Sequence, residues 1–199
     1  MKEKAPDIVA LNERIRSCQR CRLGETRTNA LCGEGNPGAK LMFVAQAPGE
    51  VEDREGRMFL GPSGRAFFQL LEAAGITREE FYMTNLVKCR LPKNRKPRRD
   101  EIAACSLYLD AEIAVVRPKV IVPLGYYATR SLFEKYGLPW PTGPEKGGLF
   151  GTVYRAGECC IYPLRHPAAL LYNPALKAEM AGAYRRLRAV MEACGQQGV

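Results

Sequence analysis

The chain has 199 residues and a formal net charge of +9, from 30 Lys and Arg against 21 Asp and Glu. That length holds one ordinary α/β domain with its own core and excludes a multi-domain machine. With 46% hydrophobic and 26% charged residues the composition is that of a globular chain, and the basic excess points to a polyanionic partner without separating nucleic acid from an acidic membrane surface.

In chain order, DIVALNERIRS (7–17) sets Ile8, Val9, Leu11 and Ile15 at helical spacing and leads into Cys18. LMFVAQ (41–46) is a short apolar run closed by Ala47-Pro48-Gly49, the pattern of a buried parallel strand entering a loop. GPSGRAFFQLLEAAG (61–75) reads as a helix, with Pro62 and Ser63 in its first turn, Phe67, Leu70 and Leu71 on one face, and Gly75 as its stop. FYMTNLV (81–87) is a second strand, followed by the basic turn KNRKPRR (93–99). DEIAACSLYLDAEIAVV (100–116) is a second helix with Asp100 as its expected N-cap. KVIVPLG (119–125) is a third strand running into the helical YATRSLFEKYG; residues 139–151 are rich in Gly and Pro and read as a loop. CCIYPL (159–164) is a fourth strand ending at Arg165-His166-Pro167, and residues 175–193 form a terminal basic amphipathic helix. The expected fold is a single domain over 1–199, a three-layer α/β/α sandwich around a central four-stranded, mostly parallel sheet. In such sheets ligands bind beyond the carboxyl ends of the strands, where this chain carries Gln46-Ala47-Pro48-Gly49, Asn85 and His166-Pro167.

Eight cysteines would imply a disulfide framework in a secreted chain. The first residues, MKEKAPDIVALNERIRSC, contain no apolar signal core, and no stretch approaches ~18 apolar residues. The expectation is therefore a cytoplasmic protein, off the membrane, with reduced thiols. Cys18-x-x-Cys21 brings two thiolates into one local turn, suited to a soft metal or a cluster. Cys89, after the second strand, and Cys105, in the following helix, complete a tetrathiolate set if the helix returns beside the strand end; they also read as small buried apolar residues. The ligand set leaves zinc and [4Fe–4S] open. Cys32, Cys159, Cys160 and Cys194 read as packing residues, Cys159 and Cys160 on opposite faces of their strand.

AQAPGEVEDREGRMFLGPSG (45–64), TNLVKCRLP (84–92), EIAACSLYL (101–109), KVIVPLG (119–125) and RHPAALLYNP (165–174), taken together and in order, resemble the iron–sulfur uracil-DNA glycosylases, family 4 of that superfamily. The resemblance runs from the first cysteine pair to near the C-terminus. It implies a [4Fe–4S] cluster on Cys18, Cys21, Cys89 and Cys105, and a monomer that hydrolyses the N-glycosidic bond of uracil in single- or double-stranded DNA, leaving an abasic site for base excision repair. His166, the only histidine, matches the family histidine that donates to the charge developing on uracil O2. Asn85 matches the asparagine that reads uracil O4 and N3, an amide offering both donor and acceptor. Phe59 matches the aromatic that stacks on the flipped base, and Ala45, Gln46 and Ala47 complete the pocket.

Glu52 and Asp53 are the carboxylates nearest this loop; with Gln46 and His166 they form the expected catalytic set, either acid positioning water or stabilising positive charge on the sugar. Ala47 stands where the first-described uracil glycosylases carry a water-activating Asp. The family usually reads Gly-Glu-Ala-Pro-Gly where this chain has Ala45-Gln46-Ala47-Pro48-Gly49, which adds a methyl and exchanges a carboxylate for an amide. Gly49 replaces the bulky residue that blocks the thymine methyl in other families, which assigns that exclusion to Glu52. Leu170 or Leu171 is the expected wedge into the gap left by the flipped base. Lys88, Arg90, Lys93, Arg95, Lys96, Arg98 and Arg99 form the densest basic run, read as a phosphate track. The competing reading is a uracil-DNA-binding iron–sulfur protein that captures or crosslinks its target without turnover, although the Arg/His-rich insertion of crosslinking relatives has no histidine counterpart in KCRLPKNRKPRRDE.

Overall fold

A computed structural model describes residues 7–141 and 148–195. The central part of the expected 139–151 loop lies outside the described residues. Helix α1 spans Ile8–Arg16, and Asp7 caps it by accepting the Val9 N–H at 3.0 Å. Strands β1 (Glu34–Gly35) and β2 (Leu41–Ala45) precede helices α2 (Glu50–Glu55) and α3 (Pro62–Ala73). Then come β3 (Phe81–Asn85), α4 (Arg99–Val116), β4 (Val120–Pro123), α5 (Tyr126–Lys135), β5 (Tyr154–Ala156) and β6 (Cys159–Ile161). The chain closes with α6 (Ala169–Tyr172), α7 (Lys177–Arg185) and α8 (Leu187–Gly195).

The four expected strands lie side by side and parallel as β3-β2-β4-β6, with Phe43 opposite Met83 on one side and Val122 on the other. The sheet itself has six strands, in the order β1-β3-β2-β4-β6-β5, because short antiparallel strands close both edges. The four-stranded expectation is corrected on this point. Segments of two and three residues are too short to carry an alternating pattern, and partners rather than local sequence fix them as strands.

Side chains alternate across β2. Leu41, Phe43 and Ala45 join one core with α3, α7 and α8, whereas Met42 and Val44 join another with α1, α4 and α5. Every residue of β2 and β3 is buried, as expected for strands covered on both faces. The layers are therefore α/β/α. The chain leaves β2 toward α3 on one face and β4 toward α5 on the other, and this divergence opens a crevice at the strand ends. No helix among the described residues is long and apolar enough to cross a membrane.

Three local expectations change. Glu50–Glu55 is a helix inside what reads as a loop; its sequence, EVEDRE, has no apolar periodicity, but Glu50, Glu52 and Asp53 suit the positive end of a helix. Asp100 lies inside the first turn of α4, whose cap is Arg98, with the Glu101 carboxylate accepting the Arg98 N–H at 2.8 Å. The terminal helix is broken into a 3-10 turn, α7 and α8. Cys160 on β6 and Cys194 on α8 form a disulfide, with Cα atoms 6.3 Å apart, so the reading of these two as reduced packing thiols does not hold.

Candidate active site

Beyond the carboxyl ends of β2, β3 and β6 lies an open cavity of about 370 Å³. Its wall includes Gln46, Glu52, Phe59, Asn85 and His166, brought together from four separate stretches of sequence. Ala45 and Ala47 also line it. The carbonyls of Ala45 and Gln46 accept the N–H groups of Leu86 (2.8 Å) and Val87 (3.0 Å), which clamps the loop after β2 to the loop after β3.

Asn85 is the last residue of β3 and is 2% exposed; its side-chain Nδ2 donates to the Met58 sulfur at 3.3 Å. His166 follows β6. Its Nδ1 accepts the Ala168 N–H at 3.2 Å, which leaves the proton of a neutral ring on Nε2. Burial pushes its pKa down to about 4, partly offset by the negative charge of Glu52, so the ring is neutral near pH 7. A neutral imidazole with Nε2–H free is a hydrogen-bond donor, not a cation.

Phe59 sits in the left-handed region, at φ 56°, a strained conformation for an aromatic residue. Its ring stacks on Phe67 at 4.3 Å between centroids. Gly64 makes this possible, since a Cβ there would fall 1.9 Å from the Phe59 carbonyl oxygen. The two adjacent carboxylates part company on α2. Glu52 accepts the Gly61 N–H at 2.8 Å and faces the cavity, where its other oxygen fills the space beside Gly49. Asp53 turns into the protein, 3% exposed, and accepts the N–H groups of Thr28 and Asn29 at 3.1 and 3.2 Å. Asp53 is thus a strut for the N-terminal segment and does not line the cavity.

A second, smaller cavity is lined by Cys18, Cys21, Cys89 and Cys105. N–H groups point at three of these sulfurs: Arg27 Nη1 at Cys89 (3.2 Å), the Lys88 N–H at Cys105 (3.3 Å) and the Arg20 N–H at Cys18 (3.5 Å). Burial pushes the Cys89 thiol up and the Cys105 thiol to about 11. Among the described residues no group of three or more His, Cys, Asp or Glu is drawn together as a site for a metal ion.

The family model described as the uracil DNA glycosylase superfamily matches residues 32–188. The chain belongs to the uracil-DNA glycosylase superfamily. Among its relatives, the type-4 uracil-DNA glycosylase of Sulfurisphaera tokodaii is 43% identical over 183 residues, 91% of this chain and 83% of the relative. The type-4 enzyme of Archaeoglobus fulgidus is 37% identical over 98% of this chain and 96% of the relative, and that of Thermotoga maritima 45% identical over 86% of each.

In this superfamily member the expected DNA-facing residues divide. Leu170 packs against the core, whereas Leu171 is 49% exposed and Tyr172, which the sequence reading passed over, is 87% exposed. Lys88 leaves the basic run: it is 1% exposed and paired with Glu112. Arg95 forks onto the buried Glu101 carboxylate at 2.8 and 2.5 Å and holds it below its usual range, while Arg90 pairs with Glu50 at 3.1 Å. Lys93, Lys96, Arg98 and Arg99 are the exposed cations of this run. Asn94, also missed, lines the cavity from a left-handed turn it shares with Lys93, both at φ 53°. Only its place within the basic turn pointed to it.

Proposed function

We propose that the protein hydrolyses the N-glycosidic bond between uracil and deoxyribose in DNA, leaving an abasic site for base excision repair. The observation that carries this reading is the convergence on one strand-end cavity of a buried amide, Asn85, and a neutral imidazole, His166, beside the ring of Phe59. A flipped uracil would stack on Phe59 and present O4 and N3–H to Asn85. As the C1′–N1 bond breaks, its electron pair passes to the base, and the charge on O2 is met by the His166 Nε2–H. Water adds to C1′ and its proton ends on the departing uracil anion, which leaves as neutral uracil; with Asp53 turned inward, Gln46 and Glu52 are the polar side chains of the expected set left to orient that water. The Glu52 carboxylate beside Gly49 is assigned the exclusion of the thymine methyl.

Cys18, Cys21, Cys89 and Cys105 would hold a [4Fe–4S] cluster. Four thiols lining one small cavity, with N–H groups aimed at three of the sulfurs, fit such a group. When bound, the cluster would tie the N-terminal segment to the loop after β3 and to α4; the hydrolysis transfers no electrons. Leu171 is the assigned wedge, and Lys93 with its exposed basic neighbours the phosphate contacts, of a single-domain monomer.

End-labelled uracil DNA, single- and double-stranded, treated with the protein and then with alkali should break at uracil. Asn85→Ala and His166→Ala should each lower excision about 10²- to 10³-fold with thermal unfolding unchanged. Near-normal excision in both variants would refute the assignment, and capture of the DNA without scission would favour a binding protein. Iron and inorganic sulfide on elemental analysis, rather than zinc, decide the identity of the metal group.

A further inference from the structure

The mechanism above leaves unused one charge of the loop after β3. Lys88 Nζ donates to Thr84 Oγ1 at 2.6 Å, to the Asn85 carbonyl at 2.9 Å and to Glu112 Oε2 at 2.5 Å, so all three ammonium protons are taken. The Thr84 hydroxyl in turn donates to the Glu112 carboxylate at 2.8 Å. Lys88, Thr84 and Glu112 are all fully buried. A buried ion pair loses its hydration, and an apolar pair of similar volume often serves stability equally well. Stability alone therefore gives little reason for this arrangement.

Its position supplies one. The peptide group joining Asn85 to Leu86 is held on both sides, its carbonyl by Lys88 Nζ and its N–H by the Ala45 carbonyl at 2.8 Å. Fixing that plane fixes the direction in which the Asn85 side chain leaves the strand, while the Met58 sulfur holds the amide at its far end. The main chain of Lys88 reaches the other way, its N–H donating to Cys105 Sγ and its carbonyl accepting the Leu31 N–H at 2.7 Å. We infer that Lys88, anchored by Glu112, is a positioning residue that sets the orientation of Asn85 for base recognition and braces it against the cysteine-lined cavity. This rests on the reading of Asn85 as the residue that recognises uracil.

The test uses the whole metal-loaded protein and the paired substitution Lys88→Met with Glu112→Leu, which removes both charges together. Inhibition of excision by free uracil reports base recognition, and affinity for abasic-site DNA reports the rest of the binding surface. The paired variant should weaken uracil inhibition about tenfold, the scale of a lost charge-assisted hydrogen bond, with abasic-site affinity, iron content and unfolding temperature unchanged. Unchanged uracil inhibition would overturn the inference, as would a parallel loss of inhibition, abasic-site affinity and iron. Should the paired variant fail to fold, Thr84→Val decides: it keeps the ion pair but removes one member of the network, and unaltered uracil inhibition would again overturn it. Asn85→Ala separates the two readings. If that variant keeps uracil inhibition, the role of Asn85 itself falls; if it loses inhibition while Lys88 and Glu112 prove irrelevant, only the positioning role falls.

Discussion

The two cavities at the end of β3 are built on opposite principles. The one around Asn85 and His166 is open and mixes polar with apolar groups, and some of these are held at a cost: a left-handed Phe59 and an imidazole that burial keeps uncharged. The one around Cys18, Cys21, Cys89 and Cys105 is smaller and less open, and it joins the N-terminal segment to the loop after β3 and to α4. Backbone strain collects in the first cavity, sulfur donors in the second. Residues 84–89 serve both, Asn85 facing one cavity and Cys89 the other.

The largest expected effect separates the two. On the proposed cluster assignment, Cys105→Ser should release the metal group and lower unfolding free energy by more than about 4 kcal/mol, as loss of a structural metal does. Excision per folded molecule, measured well below the unfolding temperature, should fall far less than in His166→Ala. A folded, stable Cys105→Ser protein without excision would make the cysteine cavity part of the catalytic apparatus and erase the distinction.

The Cys160–Cys194 disulfide is the control for that result, since it ties β6 to α8 away from the four thiols. With 34 residues of separation, the chain-entropy model gives about 3 to 4 kcal/mol, so Cys160→Ala with Cys194→Ala should unfold earlier. Iron content and excision at low temperature should not change. Gly64→Ala tests the open cavity in the same way. The added methyl meets the Phe59 backbone, so a stability loss of about 1 to 3 kcal/mol should accompany a disproportionate loss of excision. Stability loss with normal excision would mean that the left-handed Phe59 serves packing only.

The legible part of this fold was its parallel centre. LMFVA, FYMTN and VIVP are apolar runs whose burial on both faces follows from composition, and Pro62 marks the start of α3. The edge strands were not legible, because Glu34–Gly35 and Tyr154–Ala156 owe their conformation to partners across the sheet. Charge was the least legible property. Lys88 and Lys93 stand in one basic run, yet Glu112, 24 residues on, draws the first inside, while the second stays in solvent. Glu52 and Asp53 are neighbours in an acidic stretch, and only the short helix α2 turns one to the cavity and the other to Thr28 and Asn29. Helical geometry aims neighbouring side chains about 100° apart, and the sequence reading placed no helix there.

The smallest effect is the pH dependence of His166. Unfolded, the histidine titrates near its ordinary 6.5; folded, burial holds it at about 4. Between these values the unfolded chain binds a proton that the folded one does not, so stability rises with pH across this window and the contribution levels off above it. The slope cannot exceed about 1.4 kcal/mol per pH unit for one proton. His166→Gln should remove that part of the curve, which urea unfolding at a series of pH values would detect. Excision should follow the same group. Protonation at Nδ1 sets an N–H against the Ala168 N–H that it now accepts, and the ring must turn. The acid limb of kcat/KM should therefore lie near pH 4 rather than 6.5. Because Glu52 raises the pKa of His166, Glu52→Gln should move that limb to lower pH. A limb that moves upward or stays fixed would show that the acid limb does not follow His166, and with it would go the electrostatic link between the two sides of the open cavity.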